Sequence, residues 1–106
     1  MFDDIVYNEK FIWQQSKNEI NIREHEISFE NASLAFEDPL ALVVYDFEHS
    51  CYNEDRYRLT GFLTSRPSLV TVCFTPRAEL TRIFSARKAD EKEEYEYRKN
   101  ARQYCG

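Results

Sequence analysis

Hydrophobic and polar positions alternate most sharply between Leu69 and Ala86. Val70, Val72 and Phe74 take one side of a period-2 pattern, and Leu69, Thr71 and Cys73 take the other. A second β-rich run, Leu80–Ala86, follows the polar break Thr75–Glu79. Two such runs across a short break predict a hairpin at the centre of a sheet. Arg56–Leu63 alternates as well, with Tyr57, Leu59 and Leu63 on one face and Arg56, Arg58 and Thr60 on the other. Thr64–Ser68, which holds Pro67, reads as a turn, and the polar stretch Glu48–Asp55 as a loop. Leu40–Phe47 is a nearly continuous apolar run, either a strand buried on both faces or a long edge of the core. Lys10–Trp13 reads as a short strand, and residues 1–9 as an acidic lead-in without a pattern.

Three segments carry helical signals. Gln14–His25 places Lys17, Asn21 and His25 on one face at i, i+4, i+8, with Ile20 and either Ile27 or Ile22 supplying apolar contacts. Ser28 suits the N-cap of a helix over Phe29–Glu37, whose stripe is Phe29, Ala32 and Phe36, and Pro39 ends it. Asp90–Tyr104 opens on a capping box, Asp90 with Glu93, and its stripe is Tyr97, Ala101 and Tyr104. The order of elements predicts an α+β fold: a mainly antiparallel sheet of about four strands, two N-terminal helices and a C-terminal helix, the helices packed on one face.

Composition narrows the class. The 106 residues suit a single domain, 1–106, and scarce glycine and proline argue against long linkers. Three cysteines, Cys51, Cys73 and Cys105, have no Cys-x-x-Cys spacing, so neither a disulfide framework nor a zinc site is indicated. Cys73, in the middle of a strand, reads as a small core residue. No metal-ligand cluster, Gly-rich phosphate loop or Ser-His-Asp order is present, and no cofactor is expected. There is no leader-like start and no apolar run long enough to span a bilayer, so a cytoplasmic protein without membrane contact is the expectation.

Charge changes the picture more. The net charge of −5 is unevenly spread. Residues 1–55 hold three basic against thirteen acidic side chains; residues 56–106 hold eleven against six. An acidic total therefore does not exclude a polyanionic ligand, because the local field over one face is what a ligand meets. Arg77, Arg82 and Arg87 recur every five residues around the hairpin, and Arg56 and Arg58 share a strand face. Arg77 is free to reach a ligand from the turn, or is simply solvated there. Arg82 is either paired with a carboxylate or aimed at a ligand. Arg87 falls nominally on the opposite face from Arg82 and joins it only if the strand ends or bends first.

A family resemblance gathers these residues. Phe11-x-Trp13, Lys17, Asn21, His25, Ile27-Ser28-Phe29-Glu30, Ala32, Phe36 and Asp38-Pro39 resemble the N-terminal half of the BrnT toxins. Glu54-Asp55-Arg56, Gly61, Phe74-Thr75-x-Arg77, Arg82-Ile83 and Ser85-Ala86-Arg87-Lys88-Ala89 resemble their C-terminal half. The family usually has glycine after the histidine, where this chain has Glu26, and a glutamate where it has Pro76. The resemblance implies a RelE-like fold, metal-independent RNA cleavage that inhibits translation and growth, and neutralisation by a BrnA-like ribbon-helix-helix antitoxin. It also implies contact with operator DNA only through the antitoxin complex.

RNA can be cut without metal when the ribose 2′-hydroxyl attacks the adjacent phosphate. That needs a base, an acid and cations on the transition state, and guanidinium forks suit the last role. On this reading Arg77, Arg82, Arg56, Glu54 and His25 are the catalytic candidates. Lys17, Arg58, Arg87 and Lys88 are the RNA-binding ones. Glu54 is the base or merely the ion-pair partner of Arg56; His25 is an acid–base group or a helix C-cap. His49 sits in a loop and is unremarkable by its residues alone; against the family pattern, the His49-Ser50 pair stands one residue further from Arg56 than the resemblance leads one to expect. The alternative is a catalytically impaired, toxin-like binding module that only engages a partner protein, as the acidic first half suggests.

Overall fold

In a computed structural model that describes residues 4–105, the chain runs β1 (Ile5–Tyr7), β2 (Phe11–Gln14), α1 (Gln15–His25), α2 (Phe29–Ser33), a 3-10 turn Leu34–Glu37, β3 (Leu42–Tyr45), β4 (Tyr57–Leu63), β5 (Ser68–Arg77), β6 (Leu80–Lys88) and α3 (Glu91–Cys105). The predicted hairpin is β5–β6, at the centre of a sheet ordered β1-β2-β6-β5-β4-β3. It has six strands rather than about four, and it is mixed. Four pairings are antiparallel, but β2 runs parallel to β6. The additional strand at one edge is β1, inside the stretch read as a patternless lead-in. Its three residues pair Ile5 with Gln14 and Tyr7 with Ile12, too short a segment to show a period.

The hairpin turns through Ala78 and Glu79, with Ala78 at φ 57° and Arg77 opposite Leu80. Residues flanking a two-residue turn form a hydrogen-bonded pair, so the next pair, Pro76 with Thr81, exchanges no ladder bonds. The missing N–H of Pro76 then points to the side where β4 has already ended, since the last β4–β5 pair is Tyr57 with Phe74.

One face of the sheet carries the core. Leu59 and Leu63 of β4, Val70, Val72 and Phe74 of β5, and Ile83 and Ala86 of β6 pack against Ile27, Phe29, Ala32 and Ala35. Gly61 lets the 3-10 turn close on β4, because a Cβ there would meet the Ala35 carbonyl oxygen at 2.8 Å. The opposite face is only partly covered. There α3 packs Tyr97 and Ala101 on Leu69, Leu40 and Ala89. Helices therefore flank the sheet on both faces, not one. The reason is Leu69: together with Thr71 it faces away from the main core and needs its own cover.

Ser28 caps α2 by accepting from Asn31 N at 3.1 Å, and the last part of the expected helix tightens into the 3-10 turn. Asp90 and Glu93 form the reciprocal capping box, at 2.9 and 2.8 Å. Tyr104 is exposed and does not complete the expected stripe of α3. Of the apolar contacts expected at α1, Ile27 just beyond the helix is buried in the core, but Ile20 and Ile22 are exposed, and Asn18 and Asn21 are buried instead. The Leu40–Phe47 run resolves into the edge strand β3, with Val43 and Val44 exposed.

Candidate functional site

The open part of the second sheet face holds the arginines. Register sets which ones. In β5, Thr71, Cys73 and Thr75 share this face, and their partners are Arg87, Ser85 and Arg82 on β6. Cys73 pairs with Ser85 but Phe74 pairs with Ile83, so Phe84 is an extra residue, a β-bulge. The bulge changes the parity of β6 and brings Arg82 and Arg87 to one side, which regular alternation forbids. Across β5, Cys73 pairs with Arg58 of β4, so Arg58 joins the same face.

Phe84 is the centre of the cluster. The Arg56 guanidinium lies 3.9 Å from its ring centroid, Arg82 at 5.7 Å and the Lys17 ammonium at 5.5 Å. Lys17 reaches the ring because α1 runs along the β6 edge beyond the short pairing with β2. Three cations on one ring repel one another, and the aromatic quadrupole offsets only part of that. A polyanion laid over the ring would relieve the rest.

Glu54 ties two of the arginines together. Its Oε1 accepts from Arg56 Nε at 2.9 Å, and its Oε2 lies 3.4 Å from Arg77 Nη2. The Arg56 hydrogen bond holds the Glu54 carboxyl below its ordinary value; burial opposes this, and the charges of Arg56, Arg77 and Arg82 add to it. Arg77 stands at the end of the hairpin, on a hollow of about 600 Å³ that it shares with Glu54, Asp55 and Thr75. Arg82 forms no ion pair among the described residues.

Arg87 is differently placed. Its two terminal nitrogens grip both oxygens of Glu93, at 2.8 and 3.0 Å. Burial raises the Glu93 carboxyl, but the bonds from Arg87, the Asp90 backbone and Thr71 outweigh it and set the group at about 2. The same Glu93 hydrogen bond lifts Arg87 above its ordinary value. This pair fastens α3 to the sheet.

His25 and Lys88 line another hollow, with Arg66, Pro67 and Ser68. Neither lines the hollows that hold Arg56 and Arg77. Three residues that the sequence did not single out line the arginine face: Phe84, Asp46 and His49. The signal for the last two was the i, i+3 spacing of an acid and a histidine; for Phe84 there was none, because a bulge follows from pairing.

The family model for BrnT, the ribonuclease toxin of type II toxin–antitoxin systems, matches residues 13–93. The chain belongs to the BrnT family. It is thus a type II toxin–antitoxin ribonuclease toxin, with RNA as substrate class and an antitoxin as partner. The matched stretch runs from β2 into the first turn of α3 and contains every residue around Phe84. No curated protein matches the chain. Among the described residues no helix is long and apolar enough to cross a membrane.

Proposed function

We propose that this BrnT-family chain is an endoribonuclease that cuts RNA without metal, holding the backbone on the open sheet face where Lys17, Arg56 and Arg82 surround Phe84. The observation that carries this reading is the unspent charge at that ring. Arg56 has Glu54, but Arg82 and Lys17 form no ion pair among the described residues, and Arg82 acts on Glu54 only as a nearby charge. Fixed guanidinium groups supply the charge stabilisation that a cyclising phosphate needs, in a place where no reorganisation is required at the moment of reaction. Arg77, at the rim, extends the track, and Arg58 continues it from β4. Glu54 acts here as the clamp that orients Arg56 and Arg77, since both its oxygens are engaged. Arg87 serves chiefly to hold α3, while His25 and Lys88 contact RNA beyond the reacting phosphate.

The same reading includes a RelE-like architecture and a BrnA-like ribbon-helix-helix antitoxin that covers the basic face. Operator DNA is met only through the complex of the two, and cleavage inhibits translation and growth. Purified protein degrades RNA in EDTA, and Arg77→Ala/Arg82→Ala lowers the rate on the order of a hundredfold or more while the circular dichroism and melting curve stay unchanged. Cleavage retained in that double variant moves the site elsewhere. RNA left intact with and without ribosomes, together with normal growth on expression, sinks the reading.

A further inference from the structure

We infer that His49 is the general base of this cleavage, with Asp46 as its positioning residue; the inference rests on the ribonuclease reading above. Asp46 is 3% exposed, at the end of β3, and its Oδ2 lies 2.8 Å from His49 Nδ1. Its other oxygen accepts from the His49 backbone N–H at 3.3 Å. Burial pushes the Asp46 carboxyl up, but the hydrogen bonds from His49 and the charges of His49 and Arg58 outweigh this and hold it below the usual range. An ionised carboxylate only accepts, so the proton of a neutral imidazole sits on Nδ1 and the lone pair on Nε2. The His49 side chain is 62% exposed, and among the described residues its ring makes no hydrogen bond at Nε2. A buried acid orienting one nitrogen and leaving the other open is the arrangement a general base needs.

The loop that carries the dyad is tied to the arginine strand. Asp46 N donates to the Arg56 carbonyl at 2.8 Å, Ser50 N to the Asp46 carbonyl at 3.1 Å, and Arg56 N to Ser50 Oγ at 2.8 Å. Asp46, His49, Arg56, Arg58, Phe84 and Arg87 line one hollow of about 230 Å³. The charged and titratable groups facing His49 across it are Asp46, Arg56, Arg58, Cys73 and Arg87. Neither alternative base shares this arrangement, because the Glu54 oxygens are engaged by arginines and His25 lines a different hollow.

In the step, Nε2 takes the proton of the ribose 2′-hydroxyl. The 2′-oxygen forms a bond to phosphorus and the bond from phosphorus to the 5′-oxygen breaks. The products are a 2′,3′-cyclic phosphate and a 5′-hydroxyl, whose proton comes from water. The hydroxide left behind neutralises the imidazolium, which Asp46 has stabilised meanwhile, and the base is restored.

The test compares wild type, His49→Ala and Asp46→Asn, each as the full chain, on a single-stranded RNA. His49→Ala lowers kcat on the order of 10²–10⁴-fold; it also lowers the melting temperature, because the buried Asp46 loses the imidazole bond, while circular dichroism shows the fold retained. The substitution also removes the acid-side limb of the wild-type pH–rate profile, and added imidazole restores part of the rate. Asp46→Asn lowers kcat more than it raises KM and displaces that limb. A His49→Ala rate within a few-fold of wild type, beside a dead Arg77→Ala/Arg82→Ala, overturns the base and leaves the ribonuclease standing. Wild type that leaves RNA intact overturns the ribonuclease itself. Independently of activity, a ¹⁵N spectrum showing neutral His49 protonated at Nε2 instead of Nδ1 overturns the assignment.

Discussion

Glu26 holds the left-handed position that ends α1, at φ 59° and ψ 28°, where its N–H reaches the Ile22 carbonyl. Glycine is the usual residue there, because a Cβ in this region is strained. A residue other than glycine there therefore costs stability, and among the described residues no side-chain bond of Glu26 offsets it, since Arg66 binds the Glu26 backbone carbonyl. Glu26→Gly raises stability by about 0.5–1 kcal/mol, read as a higher urea midpoint at unchanged slope. Glu93 is a second residue with a measurable consequence. Its folded value of about 2 lies below the ordinary 4.5. A carboxyl lowered on folding adds stability that is complete above its unfolded value and disappears as pH falls through the folded one. Glu93→Gln thus flattens the acid limb of the stability profile between about pH 5 and pH 2, and equilibrium denaturation at several pH values measures it. An unchanged limb would show that Arg87 and Glu93 do not couple α3 to the sheet.

At the scale of elements, the informative misfit is α1. Its isoleucines face outward and its asparagines inward because β6 has a bare edge. Beyond Arg82 the strand has no partner in β2, so Ala86 would leave an N–H and a carbonyl unpaired. The Asn21 amide fills that place, donating to the Ala86 carbonyl at 2.9 Å and accepting from its N–H at 3.1 Å. It also donates to the Ile27 carbonyl at 2.8 Å, and Asn18 accepts from Phe29 N at 2.8 Å. A mostly polar helix with its two isoleucines exposed is held by a polar seam, which a hydrophobic pattern cannot reveal. Asn21→Leu leaves buried donors and acceptors empty and costs about 2–4 kcal/mol; chemical denaturation checks it, and a loss below 1 kcal/mol would mean that water takes over the edge.

Over the whole molecule, charge and topology act together. The acidic half of the sequence and the basic half do not form separate lobes, because β4, β5 and β6 collect Arg56, Arg58 and Arg82 on one face while Glu54 and Asp46 orient groups among them. RNA binding through three or four such cations falls with salt, with a slope of log K against log salt of about −2 to −3 for a single strand. Fluorescence anisotropy over a salt series measures this, and Arg82→Ala makes the slope shallower by roughly 0.7. The sequence by itself determined the hairpin, the alternation of β4, the caps at Ser28 and Asp90, and the kinds of residue that carry charge, because each depends on neighbours a few positions apart. It did not determine β1, the parallel pairing of β2 with β6, the inward asparagines, or the meeting of Arg82 with Arg87 on one face. Those follow from which strand edges are filled and from one inserted residue at Phe84. A bulge exists only between two paired strands, so its effect on which side each arginine faces is decided when the sheet assembles.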